Sequence, residues 1–247
     1  MSTDIHNQPV TTEQYLREQL AACHHIVHFN GWDDLLATHL SARLPNTQNI
    51  LITPMNVPFE EVCASKLIKC DMDGNVLSNN DQSLMPQAIN IHGAIYKANS
   101  HIMSAMHTHS LYGSMVASLQ CGYQFITQES LRFYNDIAYC DYDGLALENE
   151  GERIVKNLND KAVMLLRNHG LLTTGQSIEE AIYRLHYLEH TCKQQIKALS
   201  TQQPLVEIPE DVCQKTKAQF DSIKTPNHEF NALTRRIEGL SRVDYRS

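Results

Sequence analysis

The 247-residue sequence predicts one large domain, an α/β sandwich built around a mixed β-sheet. Short apolar segments typical of strands and longer segments of helical periodicity are interspersed along the chain, without the strict alternation of a purely parallel sheet. Hydrophobic residues make up 42% of the sequence, which is enough for one substantial core. We expect a loose tail over residues 1–10, the main domain over residues 11–200, and a helical extension over residues 201–247. The extension would pack on the same domain or on a neighbouring subunit.

The predicted helices have recognisable ends. Thr11-Thr12-Glu13-Gln14 resembles a helix start with Thr11 as the N-cap, and Asn30-Gly31 ends that helix. The clearest helix follows Ser177, because Ser177 and Glu180 form a capping box and apolar residues then recur every three or four positions up to Leu199. The remaining helices are predicted over residues 59–67, 86–99, 111–119, 147–158, 210–223 and 228–240.

Strands are predicted where short apolar or β-branched runs are bounded by turn residues. One run, residues 102–106, leads directly into His107. Another run, residues 162–166, is interrupted by Arg167-Asn168-His169-Gly170 and resumes at residues 171–174. The other predicted strands cover residues 39–44, 49–53, 66–71, 125–127 and 137–140.

Composition excludes several classes of function. The net charge of −8 argues against a nucleic-acid partner, because phosphate binding requires a concentrated basic face. There is no charged and apolar leader at the N-terminus and no apolar run near the roughly 18 residues of a membrane span. We therefore expect a soluble cytoplasmic protein without a membrane partner. The seven cysteines are scattered without a CxxC pair, which indicates reduced thiols.

The segment Met106-His107-Thr108-His109-Ser110 carries the most informative motif. In an extended strand, residues two apart point to the same face, so His107 and His109 would direct both imidazoles at one point. Two converging imidazoles at the end of a buried strand are half of a metal site. An HxH pair also occurs often by chance, so the pattern alone leaves both interpretations open.

A third histidine, His169, lies between two apolar strand halves and is followed by Gly170. Glycine at that position permits a turn or a close approach of the backbone to a ligand. If this strand neighbours the His107 strand, three histidines form a site with an open coordination position, the pattern of catalytic zinc and related ions. The spacing itself does not show that residues 107 and 169 meet.

Residues 12 to 200 resemble the class II aldolase/adducin family. The segments that carry the resemblance are Thr38-His39-Leu40-Ser41-Ala42-Arg43, Ile91-His92-Gly93-Ala94-Ile95-Tyr96, Met106 to Ser110, Ala138 to Gly144, and Arg167 to Leu172. The resemblance implies a three-layer α/β/α sandwich around a mixed, largely antiparallel sheet. It also implies one divalent metal per subunit, with His107, His109 and His169 as ligands. Zinc is the usual metal in this family, and Mn, Fe and Co are alternatives. Members of the family usually form homotetramers with active sites close to subunit interfaces.

The sequence departs from the sugar-phosphate aldolases of that family. Those enzymes carry a glutamate, both metal ligand and catalytic base, four residues before the helix histidine, which is His92 here; this chain has Ala88. Their three phosphate-binding pairs, Gly-Asn, Thr-Gly and Ser-Ser, correspond here to Thr38-His39, Met55-Asn56 and Pro86-Gln87. The run from Met85 to His92 is more similar to the adducin-like branch, in which some relatives decarboxylate hydroxylated aromatic acids.

These observations favour a divalent-metal-dependent lyase that cleaves a carbon–carbon bond, by aldol cleavage or decarboxylation, in a small, non-phosphorylated hydroxy or oxo acid or carbonyl compound. Decarboxylation needs no base to remove a hydroxyl proton. The candidate acid–base residues are His39, His92, Glu129 and Tyr134, and the candidate substrate contacts are Arg43, Gln87 and Asn168. His92 fits a core histidine as well, and Arg43 fits an anchor for a neighbouring loop.

Two alternatives remain open. The first is an adducin-like, non-catalytic interaction protein with a structural or vestigial metal site, which Ala88 and the missing phosphate pairs favour. The chain has no counterpart of the long basic tail that cytoskeletal work would require. The second is an epimerase or isomerase, which the family also contains but which is expected to keep the phosphate site.

Overall fold

The computed structural model describes residues 12–79, 81–145, 149–223 and 225–247. The strands are β1 (His39–Arg43), β2 (Asn49–Ile52), β3 (Ile68–Asp71), β4 (Ser104–Thr108), β5 (Ile137–Cys140), β6 (Val163–Leu166) and β7 (Gly170–Gly175). The helices are α1 (Glu13–Phe29), α2 (Pro86–Ala98), α3 (Leu111–Ser118), α4 (Glu150–Leu158), α5 (Ile178–Leu199), α6 (Glu210–Ile223) and α7 (Pro226–Ile237).

The strands form one sheet in the order β3-β2-β1-β4-β7-β6-β5. Only the β5–β6 pair is parallel among the described strands, and the other five neighbouring pairs are antiparallel. The predicted mixed, largely antiparallel sheet is therefore confirmed. The strands β1, β4 and β7 lie at its centre, so residues at their ends are held by pairing on both sides.

Helices cover both faces of the sheet. On one face, α1, α3, α5 and α7 pack over a core that includes Leu40, Met106 and Leu171. On the other face, α2 and α4 pack over a second core that includes Ile50, Ala105 and Leu172. Successive residues of β4 contribute to opposite cores, as the alternation of a strand requires. This arrangement confirms the three-layer α/β/α sandwich.

Some local predictions differ from the structure. Thr12 caps α1 by accepting a hydrogen bond from the Tyr15 amide, and the predicted cap Thr11 lies outside the described residues. Residues 59–67 form two 3₁₀ turns instead of one helix. Residues 125–127 are not a strand, because the amides of this region bond to side chains, with Gln195 accepting from Gln124 and Ser130 accepting from Thr127.

The C-terminal segment packs against the rest of the same chain. Helix α6 contacts the 3₁₀ turn Glu129–Phe133, and α7 lies against α1 and α5. The carbonyls of Tyr245 and Ser247 accept hydrogen bonds from the amides of Ala64 and Ser65. No described helix is long and apolar enough to cross a membrane.

Candidate metal centre

Three histidines lie together at one end of the central strands. His107 is in β4, His109 follows that strand, and His169 immediately precedes β7. Antiparallel pairing of Thr108 with Leu171 brings the His169 turn to the end of β4 that carries His109. A Cβ at Gly170 would lie 2.3 Å from the Thr108 carbonyl oxygen, so glycine is required for the two strands to approach this closely.

The three imidazole rings face one another at nearly equal separations. Ring centroids are 4.8 Å apart for His107–His109, 4.7 Å for His107–His169 and 4.8 Å for His109–His169. One ring nitrogen of each histidine lies within 4.8 Å of those of the other two. The Nε2 atoms of His107 and His109 are 3.0 Å apart. The structure therefore places three nitrogen ligands around one point.

Each of these imidazoles turns its Nδ1 atom toward an oxygen acceptor. Nδ1 of His107 lies 2.9 Å from the Leu171 carbonyl oxygen. Nδ1 of His109 lies 3.1 Å from a carboxylate oxygen of Asp34, and Nδ1 of His169 lies 3.7 Å from one of Glu150. These acceptors favour the tautomer in which Nδ1 carries the proton and Nε2 presents a lone pair.

This arrangement fits a divalent metal ion. With Nδ1 protonated, His107 and His109 point two lone pairs at each other across 3.0 Å, which is unfavourable unless a cation lies between them. Two nitrogens that bind one tetrahedral zinc ion at roughly 2.0–2.1 Å are about 3.3 Å apart. Metal-binding histidines generally donate their other N–H to a carboxylate or a carbonyl, as all three are oriented to do here.

Burial keeps His107 and His169 uncharged near neutral pH. Burial lowers the pKa of His107 well below its ordinary value, and the neighbouring histidines lower it further. Burial also lowers the pKa of His169 from 6.5 to about 4, assisted by His109. A neutral imidazole is the form that binds metal, so the site does not have to lose protons from these two residues at pH 7.

A chain of buried polar side chains leads away from the three histidines. The His39 ring lies 4.8 Å from the His107 ring, and its Nδ1 is 2.7 Å from His92 Nε2. On the far side of His92, Nδ1 is 2.5 Å from the Ser41 hydroxyl, which is 2.7 Å from the Tyr96 hydroxyl. Burial lowers the pKa of His92 to about 3. His92 therefore bonds to a neighbour of the centre, and not to the centre itself.

Arg43, Glu129 and Tyr134 do not reach the histidine cluster within the described part of the chain. Arg43 is at the opposite end of β1 from His39, and its guanidinium donates to the backbone carbonyls of Tyr96 and Asn99. The carboxylate of Glu129 accepts from Arg132, and the Tyr134 ring packs on Phe125. Arg43 thus anchors the end of α2, which is the structural alternative to substrate binding.

Of the two predicted amide contacts, Asn168 lies on the turn that carries His169, and Gln87 lies on the helix that carries His92. Asn168 adjoins His169 in the turn between β6 and β7, is exposed, and has a φ of +58°, a backbone conformation that asparagine adopts more readily than most residues. Gln87 lies in the first turn of α2, next to the fully buried Ala88. Ala88 is one turn before His92 and belongs to the apolar core.

Asp34 and Glu150 were not predicted as site residues. Asp34 lies in an irregular segment before β1, where periodicity gives no information. Glu150 opens α4, and an acidic residue at a helix start is ordinarily explained by the helix dipole. The Asp34 carboxylate lies beside Nδ1 of His109 and the Glu150 carboxylate lies beside Nδ1 of His169, while His107 faces a backbone carbonyl. The Tyr142 ring also lies beside His169, with centroids 6.4 Å apart.

Comparison with known proteins agrees with this fold. A family model described as "Class II Aldolase and Adducin N-terminal domain" matches residues 18–196. A solved aldolase II superfamily protein from Pseudomonas syringae is 36% identical with a TM-score of 0.89, covering 99% of this chain and 100% of that chain.

Two further relatives carry an aldolase name and an adducin name. L-fuculose 1-phosphate aldolase from Glaciozyma antarctica PI12 has a TM-score of 0.86 at 26% identity, covering 100% of this chain and 97% of that chain. Alpha-adducin of Mus musculus is 34% identical over 194 residues, which are 76% of this chain but 26% of alpha-adducin. The family resemblance predicted from the sequence is confirmed. The chain belongs to the class II aldolase and adducin family.

Proposed function

We propose that this protein is a divalent-metal-dependent lyase that cleaves a carbon–carbon bond in a small, non-phosphorylated hydroxy or oxo acid or carbonyl compound. The observation that carries the proposal is the convergence of His107, His109 and His169, each with Nδ1 directed at an acceptor. Three protein ligands leave a coordination position for substrate. The bond cleaved, the substrate and the metal are all part of this proposal.

The three histidines would hold the metal through their remaining ring nitrogens. Zinc is the first candidate, and Mn, Fe and Co are alternatives, because imidazole ligands accept all of them. When bound, such an ion supplies a Lewis acid that polarises a carbonyl group and stabilises the negative charge left by carbon–carbon cleavage. The two neighbouring carboxylates, Asp34 and Glu150, would orient His109 and His169 for metal binding.

His39 is the group best placed to move a proton near the substrate. Its ring lies against His107, is buried, and is held at Nδ1 by His92. The Ser41 hydroxyl in turn holds His92 and is itself bonded to the Tyr96 hydroxyl, so the His39 ring cannot rotate freely. Burial lowers the pKa of His39 well below its ordinary value, so the ring is uncharged at rest and would have to take up a proton before passing it to carbon. This arrangement supports His39 as the residue that relays the proton, and His92 as the residue that orients it.

Ala88 supports decarboxylation over aldol cleavage. The glutamate that serves as base in sugar-phosphate aldolases would occupy this position, and an alanine methyl group cannot accept a proton. Decarboxylation releases carbon dioxide and afterwards requires only the return of a proton. The similarity to a fuculose-phosphate aldolase keeps aldol cleavage by a different base as an outcome to be tested.

The second candidate is a non-catalytic interaction protein. The 34% identity to alpha-adducin favours it, together with Ala88. In that case the histidine cluster would bind metal without turnover, or bind none.

The family resemblance also leads us to propose a homotetramer, which light scattering after size-exclusion chromatography would test.

Metal analysis combined with a substrate screen tests the proposal. Purified protein is expected to contain close to one divalent ion per chain, and His107→Ala is expected to lose it. His101→Ala, an exposed histidine outside the cluster, is the matched control and should retain the metal. The metal-loaded protein is then assayed for carbon dioxide and aldehyde release from hydroxy and oxo acids. Absence of metal under replete conditions contradicts the metal centre, and metal without turnover favours the interaction protein.

A further inference from the structure

Helix α3 begins directly after the ligand segment, and its start is capped from another helix. Ser110 is the N-cap residue, but its hydroxyl makes no capping bond. It instead donates to the carboxylate of Glu189 on α5, at 2.8 Å. The amides of Tyr112 and Gly113 donate to the same carboxylate at 3.2 Å and 2.7 Å. Glu189 thus satisfies two of the four free N–H groups that an α-helix leaves at its first turn.

The first turn of α3 contacts both histidine-bearing segments. Ser110 is covalently joined to His109. On the next turn, the Ser114 hydroxyl donates to the backbone carbonyl of His169 at 3.1 Å. A Cβ at Gly113 would lie 2.4 Å from the Leu171 side chain, so this turn packs tightly on β7 as well. The start of α3 therefore links the segment that carries His109 to the segment that carries His169.

The Glu189 carboxylate is committed to this one task. The residue is 4% exposed, and its two oxygens accept the three bonds described above. A buried carboxylate is costly unless donors compensate it, and removing it would leave two backbone N–H groups without their acceptor. Such a group persists where it holds a defined geometry, and the geometry it holds here is the start of α3.

We propose that Glu189 is a positioning residue of the metal centre, which it acts on through the first turn of α3 by setting the spacing of His109 and His169. The inference rests on the proposed function only in that the three histidines bind metal. It predicts that metal affinity depends on a side chain that touches no metal ligand. Outer residues that orient ligands typically change metal affinity by about 10–100-fold when they are removed.

Glu189→Gln tests the proposal. Glutamine keeps the shape of the side chain, but its NH₂ group would face a donor at the start of α3 and cannot accept a hydrogen bond from it. Glu180→Gln is the matched control. Glu180 is another buried carboxylate on α5, but the bonds seen for it are to Gln176 and Arg184, away from α3. Metal dissociation constants are measured by competition with a chelator, and the visible spectrum of the Co(II)-loaded protein reports ligand geometry. Glu189→Gln is expected to bind metal at least about tenfold more weakly with an altered spectrum, while Glu180→Gln stays within about threefold of wild type.

The possible failures are distinguishable. Wild-type protein that binds no metal contradicts the proposed function. Wild-type protein that binds metal, with an unchanged affinity in Glu189→Gln, overturns the positioning role. Equal weakening in Glu180→Gln also overturns it, because the effect would then reflect general destabilisation. If Glu189→Gln does not fold, Ser114→Ala, which removes the bond to the His169 carbonyl, must weaken metal binding or the proposal fails.

Discussion

The imidazole of His109 and the carboxylate of Asp34 lie 3.1 Å apart although 75 residues separate them in the chain. The contact joins the end of β4 to the irregular segment that precedes β1. It directs the proton of His109 to Nδ1 and leaves Nε2 for a ligand role. Asp34 is therefore expected to influence a metal ion that it does not bind.

Asp34→Asn should weaken metal binding by about tenfold, which is the lower end of the range for substitutions of residues that orient metal ligands. The asparagine oxygen can still accept the Nδ1 proton, and the Asp34 side chain is 60% exposed, so water screens its charge. Competition with a chelator measures the change. Asp73→Asn is the matched control, because it removes the same charge from an exposed carboxylate that pairs with Lys97. Equal effects of the two substitutions would show that only net charge matters.

Local pattern predicted the two halves of the histidine cluster, and the resemblance to the family implied that the two halves meet. Strand alternation places His107 and His109 on one face, and Gly170 indicates a close backbone approach beside His169. Asp34 was not predictable, since it lies outside regular structure. Alternation also places Arg43 on the same face as His39, but four residues of strand span about 13 Å, so a shared face does not mean a shared site.

The fold was predictable where apolar periodicity and capping residues agree, as they do for α5. It was not predictable where tertiary contacts decide the backbone. Phe125 and Thr127 have strand-forming side chains, but Gln195 and Ser130 accept hydrogen bonds from the amides of this region and hold it as a loop. The proposed role of Glu189 was not predictable for the same reason, because it depends on a tertiary contact between α5 and the start of α3.

His24 should make the stability of the protein depend on pH. Burial lowers its pKa from 6.5 to about 3, while Leu20 and Thr53 hydrogen-bond the neutral ring. Below pH 6.5 His24 binds a proton in the unfolded chain but stays unprotonated in the folded chain. Stability is therefore lost as pH falls from 6.5 toward 3, by about 2 kcal/mol between pH 7 and pH 5 from this residue alone.

Urea unfolding of wild type and His24→Gln at pH 7 and pH 5 measures this contribution. The variant should be less stable at pH 7 but should lose less stability on acidification. His101→Gln, at an exposed position, should retain the wild-type pH dependence. If His24→Gln retains it too, another buried histidine carries the effect.

Thr108→Val should stabilise the protein by about 1 kcal/mol. The Thr108 hydroxyl is buried and has no hydrogen-bond partner in the described part of the chain, so folding removes it from water without compensation. Valine has nearly the same shape. Thermal unfolding measures the change, and Thr53→Val is the control with the opposite sign, because the Thr53 hydroxyl bonds to His24 and Leu40. A loss of stability in Thr108→Val would indicate that this hydroxyl has a partner.

Ala88→Glu should make the protein respond more strongly to metal. Ala88 is fully buried one turn before His92, where the sugar-phosphate aldolases of the family carry a metal-binding glutamate. In the presence of a chelator, a buried unpaired carboxylate should lower the free energy of unfolding by about 2–4 kcal/mol. Ala88→Gln is the matched control, because it adds nearly the same volume without the charge. Added zinc should raise the melting temperature of the glutamate variant more than that of the glutamine variant, because only the carboxylate gains a charged ligand interaction. The same metal-induced shift in both variants would show that a side chain at position 88 does not reach the metal. The alanine at this position would then no longer support decarboxylation over aldol cleavage.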